Sequence, residues 1–546
     1  MLWKVKNKDQ ISSADQLIKS VLNTRKIVDI DTFLNPPSPL EIQPTQLKIK
    51  KTQLKKAIVR INQAVVKQQK VVIFGDYDAD GITATSILWL TLKQLGLVAV
   101  PFIPDRLKHG YGISVKALKE VILAHNPDLI ITVDNGIVAN EPLDWLETQK
   151  IDVIVTDHHQ PTQEKLSALS VVHSTQVSGA CVAWMLAKKL LPNYATNLLD
   201  LVTISTIADQ MPLLAENRSI VRYGLELMRK EQRPGIKALL SVAGIDSKQI
   251  DVGTIGFALA PRINAAGRIS QGLMAVRLLC TQDEFSAMKI AKKMNSLNQQ
   301  RQDLTTTQFE EADIQAQEYL DKPLIIVSSS TFHEGIIGLL AGRLTEKYFK
   351  PSIVIATEGK IAKASARSVS GVNITNLIKH ADDLLLSVGG HQLAAGFSAR
   401  TDLINQVTQT LSQIAVDEIN PKLLQPTINI DAIISAKLVS VSTVKKLDKL
   451  RPFGLGNPEP LLLINDLIVE DFRLIGKNKE HLKLLLASRN YSNLRFEALG
   501  WRQGERAQEI KVDEAIELVG VLEINNWNGS QTSQVRIKDF RLSKDK

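Results

Sequence analysis

Short apolar runs followed by longer amphipathic stretches alternate along the early part of the chain. VVIF (71–74) precedes a helical pattern over 82–95, LIITV (129–133) precedes 139–149, and VIVT (153–156) ends in a loop. Such β-branched runs alternating with helical periodicity predict a parallel α/β sheet. Each run ends in a cluster of Asp, Gly or His, and ligands of these sheets bind outside the carboxyl ends of the strands. From 183 to about 320 the pattern is mainly helical. Residues 282–320 lack Gly and Pro and predict one long helix joining two domains. A second α/β pattern follows, with PLIIVS (323–328), a helix over 335–349, SIVIAT (352–357) and a Gly-rich loop at 389–396. After about 425, runs such as TINIDAII, LIVEDFRLIG, HLKLLLA, AIELVGVLEI and SQVRIKDF predict a small antiparallel β-barrel. The expected division is therefore an N-terminal extension at 1–57, polar and broken by Pro36, Pro37 and Pro39, then a parallel-sheet domain at 58–210. A helical region with the connecting helix follows at 211–321, a second α/β domain at 322–424 and the barrel at 425–546.

The chain's 546 residues suit three or four domains at roughly 100–200 residues each. Its 66 Lys and Arg against 57 Asp and Glu leave a net charge of +9, which fits a polyanionic partner without specifying one. The two cysteines, Cys181 and Cys280, stand in no metal-binding spacing and fit a reducing compartment. The start, MLWKVKNKDQ, lacks the apolar core of a signal peptide, and no apolar run approaches the ~18–20 residues of a membrane span. A soluble cytoplasmic protein is expected.

The strongest chemical signal is GDYDADG (75–81), directly after VVIF. Side chains two apart in an extended segment share a face, so Asp76, Asp78 and Asp80 can converge. An isolated D-x-D is most simply a solvated acidic turn. Here a second strand end carries Asp134 in TVDNGI, and a third carries Asp157, His158 and His159 in TDHHQ. Asp209 in ISTIADQMP is a fourth candidate. Crowded carboxylates repel one another unless a divalent cation sits among them. Oxygen-rich sites with one or two imidazoles suit Mn²⁺ or Mg²⁺ better than zinc. Four arginines beside Gly, Ser or Asn read as phosphate contacts: Arg106 in PDRLKHGYG, Arg262 and Arg268 in PRINAAGR, and Arg367 in SARS. Tyr111 suits base stacking or core packing equally, and the glycines around His391 in GGHQLAAGF would let backbone N–H groups approach a phosphate. His333 and Glu334 read as structural, and Gly335 and Gly338 as close-packing positions.

The ordered series GDYDADG, TVDNG, TDHH and a downstream Asp resembles the signatures of the DHH phosphoesterase family. PRINAAGR, FHEGIIGLLAGR, SARS, GGHQLAAGF and RPFGLGNPEP resemble its RecJ branch in particular. The resemblance implies a DHH domain, a DHH-associated domain and an oligonucleotide-binding (OB) barrel. It implies two Mn²⁺ or Mg²⁺ ions and a single-stranded-DNA-specific 5′→3′ exonuclease that releases 5′-mononucleotides in DNA repair and recombination. By the same resemblance Asp78 and Asp80 would be metal ligands, Asp134 would bridge both metals, and His158 and Asp209 would complete the set. Asp76 would be a ligand or a neighbour, and Asp157 and His159 would lie behind the ligands or face the phosphate, with His159 among the catalytic groups. Phe74 stands where some small members of the family place another His. Ser365 and Arg367, with Arg262 or Arg268, would hold the terminal phosphate. Phe472, Phe496, Trp501 and Trp527 are the barrel's aromatics, each read singly as core before platform. Single-stranded DNA is the implied partner, with a helicase or single-strand-binding protein as candidate protein partners, and a monomer is expected. Two rival readings are a DHH phosphoesterase acting on polyphosphate, oligoribonucleotides or cyclic dinucleotides, and a non-catalytic single-strand-binding scaffold.

Overall fold

The computed structural model describes residues 1–109, 112–162, 164–230, 232–269, 272–527 and 529–543, apart from the side chains of 106, 107, 268, 269 and 527. Arg106, Arg268 and Trp527 are therefore placed by backbone alone, and Tyr111 lies outside the described residues.

The apolar runs of the first domain form a five-stranded parallel sheet. Its strands are β1 (Val71–Phe74), β2 (Ala99–Phe102), β3 (Leu129–Val133), β4 (Asp152–Asp157) and β5 (Ser170–His173), in the order β2-β1-β3-β4-β5. All residues of β1 and β3 are buried, which is why they read as unbroken apolar runs rather than alternating ones. The chain leaves β1 to one side for β2 and returns to the other for β3. The crevice at the carboxyl ends of β1 and β3 is thus the topological switch point. Helix α1 (Ala79–Gln94) is buried along most of its length and packs against α2 (Gly179–Leu190) and α3 (Leu199–Ala208). One apolar cluster extends from Ile42 through this sheet to Met294, and so includes the helical region.

The predicted long helix is α5 (Glu284–Ala316), 33 residues and about 50 Å at ~1.5 Å per residue. Before it comes α4 (Ala260–Ile269). The second domain has strands β6 (Ile325–Ser329), β7 (Ser352–Ala356), β8 (Ile361–Arg367), β9 (Ser387–His391) and β10 (Ala394–Arg400), in the order β9-β10-β8-β7-β6. Only β6 and β7 run parallel. Helix α6 (Ile337–Tyr348) packs on β7 and β8 and against α5. The Gly-rich stretch 389–396 is a hairpin of β9 and β10, not the expected loop. Its small residues pair edge to edge, and strand hydrogen bonds occupy its backbone.

The barrel closes through β11 (Leu462–Ile475), β12 (His481–Ser488), β13 (Tyr491–Gly500), β15 (Ser530–Leu542) and β14 (Ala515–Trp527), which returns to β11. It departs from the antiparallel expectation at one seam, where Glu497–Leu499 of β13 runs parallel to Gln534–Arg536 of β15. The start of the chain joins this unit. Leu2–Val5 pairs in parallel with Thr427–Ile430, and Gln10–Ile11 pairs with Ala432–Ile434, which in turn pairs with β11. Leu17, Val21, Leu22 and Phe33 enter the barrel's apolar cluster. Among the described residues no helix is long and apolar enough to cross a membrane.

Arg218 ties these parts together. Its guanidinium is almost wholly buried and lies 3.8 Å from the Phe33 ring. It donates to the carbonyls of Phe33 (2.7 Å), Leu450 (3.0 Å) and Arg451 (2.7 Å), and burial pushes its pKa down to about 10. Arg218→Leu strands these carbonyls in an apolar setting. It is expected to lower the unfolding free energy by about 3 kcal/mol or more, read from the denaturant midpoint. A midpoint equal to wild type would show that the carbonyls find other donors.

Candidate metal centre and nucleic-acid cleft

The loop after β1 turns straight into α1, and Asp78 caps that helix. Asp78 Oδ1 accepts from the N–H of Asp80 (2.9 Å) and Gly81 (3.0 Å). Asp76 is buried, and its Oδ1 accepts from Tyr77 N. Asp80, on the first turn of α1, points into the N-terminus of α2. Its Oδ2 accepts from Gly179 N (2.7 Å), and its Oδ1 accepts from Ala180 N (2.7 Å) and the Ser205 hydroxyl (2.6 Å). A helix N-terminus thus stabilises a carboxylate of the protein itself.

Asp134 follows β3 directly, in a left-handed backbone conformation (φ 59°). It is buried, and its Oδ1 accepts no hydrogen bond. Asp157 orients the histidine pair. Its Oδ1 accepts from the backbone N–H of His158 and His159 and from His159 Nδ1 (2.8 Å), and its Oδ2 accepts from Ile137 N. His158 Nε2 then lies 3.2 Å from Asp134 Oδ1, 3.5 Å from Asp80 Oδ2 and 3.7 Å from Asp209 Oδ2. His159 Nδ1 lies 4.0 Å from Asp134 Oδ1. Asp209 caps the C-terminus of α3 and so reaches the same crevice.

The charges fit dications. Burial, and then the charges of Asp80, Asp78 and Asp76, push the Asp134 carboxyl far above the ordinary range. Burial and then Asp80 also raise Asp78, and burial, Asp80 and Asp78 raise Asp209 to about 8. Asp157 behaves oppositely. Burial works against its charge, but its bonds to His159 and to backbone N–H groups outweigh burial and hold the carboxyl low. The Asp157 hydrogen bond raises His159 to about 9. Three sets of candidate ligand atoms lie within 4.8 Å of one another: Asp76, Asp78 and Asp134; Asp80, His158 and Asp209; and Asp134, His158 and His159. Asp134 and His158 each occur in two sets. Crowded carboxylates, an orphaned Asp134 oxygen and a shared imidazole make a donor set for two hard cations.

Helix α4, from PRINAAGR, packs on the loop after β1. Asn264 Oδ1 accepts from Ala79 N (2.7 Å), and a Cβ at Gly267 would stand 2.1 Å from Tyr77 O. Arg262 donates to Asn295 Oδ1 of α5 and to Ala258 O, and among the described residues it has no ion pair with the carboxylate cluster. Arg367 closes β8, where it donates to Ser365 Oγ (3.3 Å) and Ala366 O (2.8 Å). A Cβ at Gly338 would come within 3.2 Å of its Nη2, so the start of α6 lies against it. His391 is exposed, and its carbonyl accepts from Thr375. Ser365, Arg367 and His391 all stand on the second domain, outside the metal sets. Phe74 packs on Phe102 in the sheet's core and does not replace a ligand by a polar contact. In the barrel Phe496 is buried, Phe472 packs on the core, and Trp501 is exposed against the edge of His481. Sequence reasoning does not reveal Ser205, the Gly179–Ala180 amides or Asn264 as supports of the centre. The sole signal is Ser178-Gly179 opening a helix.

The DHH family N-terminal domain matches residues 70–206, the DHHA1 domain matches 321–417 and the RecJ OB domain matches 430–539. The single-stranded-DNA-specific exonuclease RecJ of Haemophilus influenzae is 31% identical over 506 residues, covering 86% of this chain and 87% of that protein. The chain belongs to the RecJ family. RecJ of Bacillus subtilis is 36% identical over 488 residues, covering 87% of this chain but 62% of that longer protein. The crystal structure of RecJ from Thermus thermophilus in complex with Mn²⁺ superimposes with a TM-score of 0.83 at 27% identity, over 100% of this chain and 80% of that one. The RecJ architecture of DHH, DHHA1 and OB domains is thus the architecture of this chain.

Proposed function

We propose that this RecJ-family chain is a metal-dependent, single-stranded-DNA-specific 5′→3′ exonuclease. It hydrolyses phosphodiester bonds and releases 5′-mononucleotides in DNA repair and recombination. The observation that carries the reading is the convergence of Asp76, Asp78, Asp80, Asp134, His158 and Asp209 on the switch point of a DHH sheet, in a chain that also has the RecJ OB barrel. Two Mn²⁺ or Mg²⁺ ions held there would activate water, clamp the scissile phosphate and stabilise the leaving oxygen. The chain's own residues do the rest. The α2 amides and Ser205 fix Asp80 in one orientation. Asp157 accepts from His159 Nδ1 and so orients that ring towards the crevice where the scissile phosphate would lie. Digestion of end-labelled single strands with Mn²⁺ or Mg²⁺, with and without chelator, tests the reading. Loss of a 5′ label as mononucleotide is expected. Activity on oligoribonucleotides or small phosphates without attack on long DNA would favour a different DHH phosphoesterase, and chelator-insensitive binding without cleavage would favour a scaffold. A helicase or single-strand-binding protein is the candidate partner, and a cytoplasmic monomer is the proposed state.

Arg367, half-buried and with no carboxylate partner among the described residues, is proposed to hold the 5′-terminal phosphate with Ser365. Arg367→Ala is expected to cut the preference for 5′-phosphate over 5′-hydroxyl ends by roughly tenfold or more, the worth of one hydrogen bond to a charged group. Competition between the two ends measures it, and an unchanged preference would move the role to Arg262 or Arg268. Arg106 and Tyr111 are proposed as strand contacts on sequence alone.

A further inference from the structure

A cleft of about 1060 Å³ is lined by Ala208 and Gln210, the neighbours of Asp209, by Asn264 of α4 and by Arg301 of α5. Residues of the segment from Asp448 to Glu459, which leads into the barrel, also line it. One wall is the turn Ile255–Leu259, which adopts π-helical geometry before α4. Such turns are rare and concentrate at functional sites. Ile255 and Leu259 point into the core, but Phe257 between them is 87% exposed, on the cleft side. Burying a Phe is normally favourable. Gly253 and Gly256, which also line the cleft, have no side chains to cover the ring.

The charges on the wall favour an anion. Arg229 and Arg301 have no ion-pair partner among the described residues. Arg229 Nε donates to Ile250 O, and Arg301 Nε is buried without any hydrogen bond. Burial, then the charges of Arg343 and Arg262, push the Arg301 pKa down. The acidic wall residues are mostly engaged: Asp251 caps Thr254, Asp448 pairs with Arg451, and Glu459 pairs with Arg536. Glu226 is the exception among the described wall residues.

We propose that Phe257 is a stacking platform for one base of the DNA strand whose 5′ end lies at the carboxylate cluster, with Arg229 and Arg301 on the flanking phosphates. The proposal rests on the exonuclease reading. An aromatic face accepts every base, so this contact grips without selecting sequence. The alternative occupant, a protein segment, is an outcome of the test.

The test uses the full chain with Phe257→Ala, Phe257→Leu and Phe257→Trp. Binding of a fluorescein-labelled, 5′-phosphorylated oligothymidylate is read by anisotropy in chelator, and KM and kcat on the same oligonucleotide are read in Mn²⁺. Phe257→Ala is expected to raise Kd and KM about tenfold with kcat within about twofold. Phe257→Leu should behave like Ala, and Phe257→Trp should restore binding. A 2-aminopurine walked along the strand should show one position whose quenching is lost in Phe257→Ala. Wild-type KM in Phe257→Ala, or full rescue by Leu, would overturn the platform and leave the exonuclease reading standing. Absence of strand binding and cleavage by the wild-type chain would overturn both. Unchanged DNA parameters with loss of a co-purifying protein in Phe257→Ala would replace DNA by a protein segment.

Discussion

Asp134→Asn is expected to lower kcat on single-stranded DNA by about 10³-fold or more and to raise the melting temperature of the chelator-treated protein by about 2–4 °C. The two effects have one cause. Asp134 is buried among Asp76, Asp78, Asp80 and Asp157, and among the described residues its Oδ1 accepts no hydrogen bond, with His158 Nε2 3.2 Å away. Without cations its charge is a net cost to the fold, which an isosteric amide removes. With cations the same charge is what two ligand sets share. A 10³-fold loss corresponds to about 4 kcal/mol, within the several kcal/mol that metal catalysis contributes. The measurements are end-labelled digestion and a thermal scan, each with and without Mn²⁺. Mn²⁺ should stabilise the wild-type protein strongly and the variant weakly. Near-normal turnover, or a lower melting temperature in chelator, would refute a shared-ligand role.

Gly179→Ala should be nearly as damaging, although no chemistry is assigned to a glycine. A Cβ there would stand 2.5 Å from Asp134 Oδ1, while the Gly179 N–H holds Asp80 at 2.7 Å. Relieving the clash moves Asp134 or the α2 N-terminus, and displacements of about 1 Å at a reacting centre cost on the order of 10²-fold. A drop in kcat of that size with folding preserved is expected. Gly342→Ala is the control. It lies inside α6, where an added Cβ would meet nothing within 4 Å, so it should retain activity and gain up to about 1 kcal/mol of stability. Equal behaviour of the two variants would show that the Gly179 contact is not limiting.

The strand ends of the first domain are legible because each functional group follows directly on an apolar run: Asp76 to Asp80 on β1, Asp134 on β3, and His158 and His159 on β4. Period and punctuation locate such groups without knowledge of pairing. What supports them is not legible. Asp80 meets Gly179, Ala180 and Ser205, which are 99, 100 and 125 residues away, and no local pattern encodes those distances. Arg262 sits in the same kind of motif as the other arginines, yet its bonds go to Asn295 of α5, because α4 lies along that helix. The 389–396 stretch reads as a loop because Gly dominates it. Its register as β9 and β10 is set by β8, whose residues pair with β10 from Ile361 to Arg367. The barrel's alternation reveals its strands but not the parallel seam, since parallel and antiparallel neighbours share the same period of two.

The union of the first residues with the barrel sets a timetable for synthesis. Lys6 pairs with Asp431, 425 residues later, and Leu17, Val21, Leu22 and Phe33 share their apolar cluster with residues beyond 430. A ribosome adding ~5–20 residues per second reaches those partners on the order of 20–80 s after the first segment emerges. Through that interval the amphipathic helix Ala14–Thr24 has an uncovered greasy face, and chaperone occupancy on nascent chains should peak before the barrel is translated and fall once it is complete.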